Sequence, residues 1–453
     1  MFKKGFLWGV GSAAFQVEGA ANEDGKGPSN WDMHCKESGN ISYGHSGDTA
    51  CDQYHRYRED AALMKELGIK AYRFSISWPR IIPSGIGDTN PKGIEYYNSL
   101  ITELIKNGIE PVITLFHWDL PAPLQEKGGF LNNEISDWFE YFAAVIADNF
   151  GDRVKYFITI NEPQSFLGGY FSTSHPPKEK HTMGEMAVAV HNVLLCHGKA
   201  ARVIRERVTD AKIGYAPCGS YFYPLDENNK KDIEAARELT FAPNRADING
   251  THWCISGYSD PIYLGCYPEE YLEYYEKYLP AGWQEDLKII HQPTDFCGMN
   301  IYTGSAVTTD SSGKPYAVPK KPGHDIAANI WGFVTPPAIK WGAIFNYERY
   351  KKPIIITENG FCNADVIFMD GKVHDPQRID YTHRHLLQLK EATDAGVDVA
   401  GYFHWTFLDN MEWQAGYTQR FGLVHVDFET QKRTPKDSAY WYKAVIKANG
   451  ENL

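Results

Sequence analysis

The chain has 453 residues, 43% of them hydrophobic, and a formal net charge of −12. That is enough apolar material for a large core, while an acidic chain with no basic run is unsuited to following phosphates, which excludes nucleic acid as a partner. The opening Met1-Phe2-Lys3-Lys4-Gly5-Phe6-Leu7-Trp8-Gly9 meets glycine before any long apolar region, and no run of about 18 apolar residues follows, so neither a secretory leader nor a membrane span is expected.

In chain order, Phe6 to Phe15 reads as a first strand. Its Gly9-Val10-Gly11-Ser12-Ala13-Ala14 fits a dinucleotide-binding fingerprint, but that fingerprint needs an amphipathic helix directly behind it, and none begins before Tyr54. Tyr54 to Leu67 is that helix, stopped by Gly68. Ile69 to Ile76 is a strand carrying Arg73, Gly93 to Lys106 a helix, and Ile109 to Phe116 a strand that delivers His117-Trp118-Asp119. A helix over 136–150 precedes a strand from Val154 that ends in Asn161-Glu162-Pro163. Then come a long helix from about Thr182 to Arg207, a strand over 212–216, a helix over 232–239, and a strand over 295–302 ending in Asn300-x-Tyr302. Residues 303–330, rich in Pro, Gly, Ser and Lys, read as a surface loop. A helix near 337–350, the strand Ile354-Ile355-Ile356-Thr357-Glu358, a helix over 376–395, a last strand over 399–405 and a closing helix over 436–448 complete the pattern.

A soft rule of about 150 residues per domain gives three domains. No linker breaks the alternation, however, and eight strands each followed by helix or loop give one (β/α)8 (TIM) barrel spanning 1–453. The eight cysteines show no C-x-x-C and no zinc-like spacing. No metal and no cofactor are expected, and reduced thiols with no leader point to the cytoplasm. Asn40-Ile41-Ser42 and Asn249-Gly250-Thr251 match a glycosylation sequon that has no use there. Aromatics make up 14% of the chain, including 12 Trp and 28 Tyr. A core does not need so many, and sugars present C–H faces that stack on such rings.

Two strands end on a glutamate at a turn, Thr159-Ile160-Asn161-Glu162-Pro163 and Ile356-Thr357-Glu358-Asn359-Gly360. In a barrel the strand C-termini carry the chemistry. Two carboxyls across one pocket are the apparatus of glycoside hydrolysis, where one protonates the leaving oxygen and the other attacks or activates water.

These two motifs, with Phe6-Leu7-Trp8-Gly9 and Tyr72-Arg73-Phe74-Ser75-Ile76-Ser77-Trp78-Pro79-Arg80, resemble the family 1 glycoside hydrolases, the β-glucosidase family, over nearly the whole chain. The resemblance implies a retaining β-glycosidase with Glu162 as general acid/base and Glu358 as nucleophile. Their carboxyls would then lie about 5–5.5 Å apart, and a charged Glu358 would raise the pKa of Glu162. Arg73 and Tyr302 look like the pair that holds the nucleophile ionised, with Asn300 supporting its side. Gln16, His117, Asn161 and Glu412 look like the hydroxyl-binding groups. Trp405 looks like the stacking floor, with Trp118, Trp413 and Phe421 nearby. An intact Glu412-Trp413 with an anionic Glu412 would repel a phosphate, which favours an unphosphorylated glycone. Gln164 stands where many relatives place tryptophan, and either Trp331 or Phe333 could fill the leaving-group site.

The substrate is thus expected to be a small β-glycoside or short oligosaccharide, glucose before galactose or fucose. Transglycosylation, a silent carbohydrate-binding protein and a nicotinamide oxidoreductase are the alternatives. No signature of an oligomer interface is visible.

Overall fold

The computed structural model describes residues 1–171, 175–243, 253–329 and 331–453. Eight parallel strands form one sheet: β1 Leu7–Gly11, β2 Ala71–Ser75, β3 Glu110–Phe116, β4 Tyr156–Asn161, β5 Lys212–Ala216, β6 Cys297–Asn300, β7 Ile354–Asn359 and β8 Val399–His404. Their order is 5-4-3-2-1-8-7-6. The two ends meet, since Asp295 N–H donates to Ile213 O at 2.7 Å and Asn300 N–H to Pro217 O at 3.0 Å. The sheet is therefore a (β/α)8 barrel, as the alternation of elements predicts.

Inside the barrel, Ala71, Val112, Ile158, Ala216, Phe296, Ile355 and Phe403 form a separate buried layer. Large rings there are matched by glycines on neighbouring strands. A Cβ on Gly9 would lie 2.4 Å from the Phe403 ring, and one on Gly214 would lie 2.2 Å from Phe296. The dinucleotide-like glycines therefore make room inside a barrel, and only four helical residues, Ala14–Val17, follow them. The expected strand to Phe15 accordingly stops at Gly11. The larger core lies between the barrel and its helices, of which Gln53–Glu66, Pro91–Lys106, Ile135–Phe150, Met183–Arg207, Pro337–Tyr350, Pro376–Asp394 and Asp437–Lys447 fall within a few residues of their expected bounds. Met183–Arg207 opens on a capping box, with Thr182 and Glu185 satisfying each other's backbone N–H.

Other regions also differ from expectation: the helix Asn30–Lys36 precedes Tyr54, where no helix was expected, and Val424–Val426 pairs antiparallel with Arg433–Pro435. The described part of 303–330 is not all loop, because Ser305–Thr309 pairs antiparallel with Pro315–Ala317 and parallel with Phe222–Pro224. The polar Asp310-Ser311-Ser312-Gly313 is the turn of that hairpin, with Gly313 at φ +87°. Between β5 and β6 the helices Ser256–Tyr263, Glu269–Tyr275 and Trp283–Ile290 were not expected. Their periodicity is cut short by Pro261, Gly265 and Pro268. The second sequon, Asn249-Gly250-Thr251, lies outside the described residues. Among those described, no helix is long and apolar enough to cross a membrane.

Candidate active site

Alternation along β2 sends Ala71, Arg73 and Ser75 into the barrel, and Arg73 is wholly buried there. The same rule would point Glu358 outward, because Ile355 lies in the interior layer. The ladder between β7 and β6 shifts between Ile356 and Glu358. Such a bulge re-aims a side chain, and here both Thr357 and Glu358 serve the interior. Pairing of β4 with β5 shifts likewise between Ile158 and Asn161. Glu162 then takes φ +45°, held by its N–H on Ala216 O at 2.8 Å and by Pro163 as the first residue of the helix Pro163–Leu167. That left-handed conformation costs a non-glycine residue about 1 kcal/mol or more. Trp118 at φ +79° and Trp413 at φ +49°, which line the same cleft as Glu162, share it.

The cleft, of about 1040 Å³, lies at the carboxyl ends of the strands and is lined by Glu162, Glu358, Glu412, His117, Trp118, Asn300, Tyr302, Trp331, Trp405, Trp413 and Phe421, among others. Glu358 accepts from Arg73 Nη1 at 2.6 Å and from Tyr302 OH at 2.7 Å. Burial raises its pKa, and the Arg73 and Tyr302 donors pull it back toward the ionised form. Glu162 Oε1 accepts from Asn300 Nδ2, and its Oε2 is hydrogen-bonded to the Ser165 hydroxyl, both at 2.8 Å. Its pKa is pushed up to about 7 by burial first and by the charge of Glu358 second, a different order of causes from the one expected. Asn300 was assigned to the Glu358 side. It does lower the pKa of Glu358, and it is also bonded directly to Glu162.

Glu412 requires a correction. Burial, then the charges of Glu358 and Glu162, push it up to about 8, away from the anionic form expected of it. Gln16 Nε2 donates to Met411 O at 2.8 Å and reaches Glu412 Oε2 at 3.3 Å, while its Oε1 has no protein partner. Asn161, also fully buried, donates from Nδ2 to His117 Nε2 at 3.1 Å. Burial and the Arg73 charge drive His117 well below its ordinary value, so the ring is neutral. Trp405 stacks on His117 at 5.7 Å and 19°, with its ring over Gly11 where a Cβ would meet it at 3.0 Å. Trp118 stacks on Trp413 at 4.4 Å. Asp409 accepts from buried Lys436 at 2.6 Å and from Arg420 at 2.7 Å, which anchors the loop that carries Glu412.

At the mouth Trp331, 43% exposed, stacks on Phe421 at 6.3 Å and meets Tyr302 edge-on at 5.5 Å. Phe333 points away onto His324 and Lys320 and does not line the cleft. Gln164, fully buried, does not line it either, because it follows Pro163 into the helix and turns behind the wall toward Cys218. The sequence reading missed Ser165, Cys218, His175, Tyr221 and Gln419, all of which line the cleft. Only Ser165 had a signal, its place three residues after Glu162 at a helix start.

The model of glycosyl hydrolase family 1 matches residues 1–451. Beta-glucosidase A of Acetivibrio thermocellus is 45% identical over 99% of this chain and 99% of its own. Beta-glucosidase A of Thermotoga maritima is 43% identical over 99% and 98% respectively. A solved structure of a Thermotoga maritima beta-glucosidase in complex with castanospermine superposes with a TM-score of 0.89 at 43% identity, covering 99% of both chains. The chain belongs to glycosyl hydrolase family 1 and is a glycoside hydrolase.

Proposed function

We propose that this enzyme is a retaining β-glucosidase that cleaves unphosphorylated β-linked O-glucosides or short β-gluco-oligosaccharides. The observation that carries the reading is the unequal treatment of two buried carboxyls in one cleft. The pKa of Glu162 is raised to about 7, and Glu358 faces a fixed guanidinium and a phenol. In the first step Glu358 attacks the anomeric carbon while Glu162 gives its proton to the departing oxygen. Esterification removes the Glu358 charge, the pKa of Glu162 falls, and the resulting carboxylate draws a proton from the water that releases the sugar. Gln16, His117, Asn161 and Glu412 would bind the sugar hydroxyls and Trp405 its C–H face. Trp331 and Phe421 would flank the leaving group.

The case for a neutral glycone no longer rests on repulsion by Glu412. It rests on the walls, where none of the described lining residues is a lysine or arginine. Among those described residues a phosphate would find no cation to pair with. The two close relatives named beta-glucosidase A favour glucose. The eight cysteines form no disulfide, which fits a reducing cytoplasm.

A panel of 4-nitrophenyl β-glucoside, β-galactoside, β-fucoside and 6-phospho-β-glucoside, without added metal or cofactor, tests this. The neutral glycosides are expected to turn over, glucoside first. Turnover of the phosphorylated substrate alone would overturn the assignment.

A further inference from the structure

The proton positions around Glu162 follow from one side chain that never accepts. The Arg73 guanidinium is donor-only, and its Nη2 lies 2.5 Å from Asn161 Oδ1, fixing that atom as the acceptor. Asn300 must therefore present its amino group to Asn161, at 2.8 Å, and the same group donates to Glu162 Oε1 at 2.8 Å. The Thr357 hydroxyl, donating to Asn300 Oδ1 at 2.6 Å, agrees with that orientation. Oε1 of Glu162 is thus always an acceptor, and the proton of the acid form sits on Oε2. The neighbour of Oε2 is the Ser165 hydroxyl at 2.8 Å, a group that can donate or accept. Behind it lies Cys218 Sγ, 3.4 Å from Ser165 Oγ. Burial and the Glu162 charge keep that thiol protonated.

We propose that Ser165 is a positioning residue for the catalytic proton, turning from acceptor to donor as Glu162 gives the proton up, with Cys218 as its counterpart. The inference rests on Glu162 being the acid/base. In the resting acid form Glu162 Oε2–H donates to Ser165 Oγ, and the Ser165 hydroxyl donates to Cys218 Sγ. When the glycosidic C–O bond breaks, its electron pair stays on the leaving oxygen, which takes the Oε2 proton and leaves Glu162 a carboxylate. Ser165 then swings its hydrogen to Oε2, and the Cys218 thiol turns its own toward Ser165 Oγ. The serine and cysteine exchange no proton with Glu162; only their hydrogens rotate. A hydrogen bond to an ionised oxygen is about twice as strong as one to a neutral oxygen. Ser165 therefore favours the carboxylate and holds the acid's pKa below what burial alone would set.

The other groups acting on Glu162 are Glu358 from a strand end and Arg73 from inside the barrel, Glu412 and Tyr302 across the cleft, and Tyr221 and Cys218 behind it. None of them is substituted when residue 165 is changed. The test is kcat/KM against pH for 4-nitrophenyl β-glucoside in the wild type, Ser165→Ala, Ser165→Thr and Glu162→Gln. The wild type should lose activity through about pH 7 as Glu162 ionises. In Ser165→Ala that limb should move up by about one pH unit, the size of one charge-assisted hydrogen bond, and Ser165→Thr should restore it. A limb that stays put or moves down in Ser165→Ala overturns the proposal. If that variant does not fold, Cys218→Ala serves instead. It leaves the hydroxyl free to donate only to Glu162, so the limb should move down, and an unmoved or raised limb overturns the proposal. Glu162→Gln separates the two claims. If the limb survives in that variant, the acid assignment itself fails, whereas if it vanishes there but ignores residue 165, only the role of Ser165 fails.

Discussion

Glu358→Ala loses turnover of 4-nitrophenyl β-glucoside by about ten-thousand-fold or more, the scale on which removing a member of a covalent catalytic set acts. The side chain is buried against Arg73 and Tyr302, and no other described carboxyl is gripped by both. Truncation opens a space where the nucleophile stood, and with the Glu358 charge gone the pKa of the Glu162 opposite falls. Added azide should enter that space and restore part of the rate. One displacement inverts the anomeric centre, so the product should be the α-glucosyl azide. Undiminished activity in this variant, or rescue that yields the β-azide, would remove Glu358 from the nucleophile's role.

Glu162→Ala separates substrates by their leaving groups. An alkyl glucoside needs its oxygen protonated as the bond breaks, and kcat/KM should fall by about 10²–10⁴-fold. A 2,4-dinitrophenyl glucoside leaves as a stable anion, and its kcat/KM should fall far less. Its kcat should still drop, because the second step has lost its base, so the glycosyl-enzyme should accumulate. Equal losses of kcat/KM for both substrates would contradict the acid role. The readout concerns the acid specifically, since a general loosening of the cleft would not grade with leaving-group pKa.

The barrel and its two carboxyls were legible because their signals are local. A short β-branched run that ends on Glu and a turn announces a strand-end acid, and that pattern occurs at both Glu162 and Glu358. What aims those acids was not legible. The shifts at Ile356/Glu358 and Ile158/Asn161 arise from pairing with strands far away in the chain, and strict alternation would have turned Glu358 out of the barrel. The charge state of Glu412 was hidden for the same reason, since it depends on burial and on two acids brought in from other strands. Gln164 sits next to a motif residue, but the helix begun by Pro163 carries its side chain away from the cleft that Ser165 faces. Trp331 and Phe333 are two residues apart in a stretch of irregular chain, where no period tells inside from outside. The Asp310–Gly313 turn resembled loop composition because a hairpin turn uses the same residues.

The central claim is that Glu358 becomes covalently bonded to the sugar. The direct measurement is to treat the enzyme with a 2-deoxy-2-fluoro-β-glucoside bearing an activated leaving group, whose fluorine slows an oxocarbenium-like transition state, and to locate the label by peptide mass spectrometry. Stoichiometric release of the leaving group with one fluoroglucosyl group on Glu358 is the predicted result. A label on another residue, or full turnover that releases the α-anomer from an unlabelled enzyme, would contradict the account.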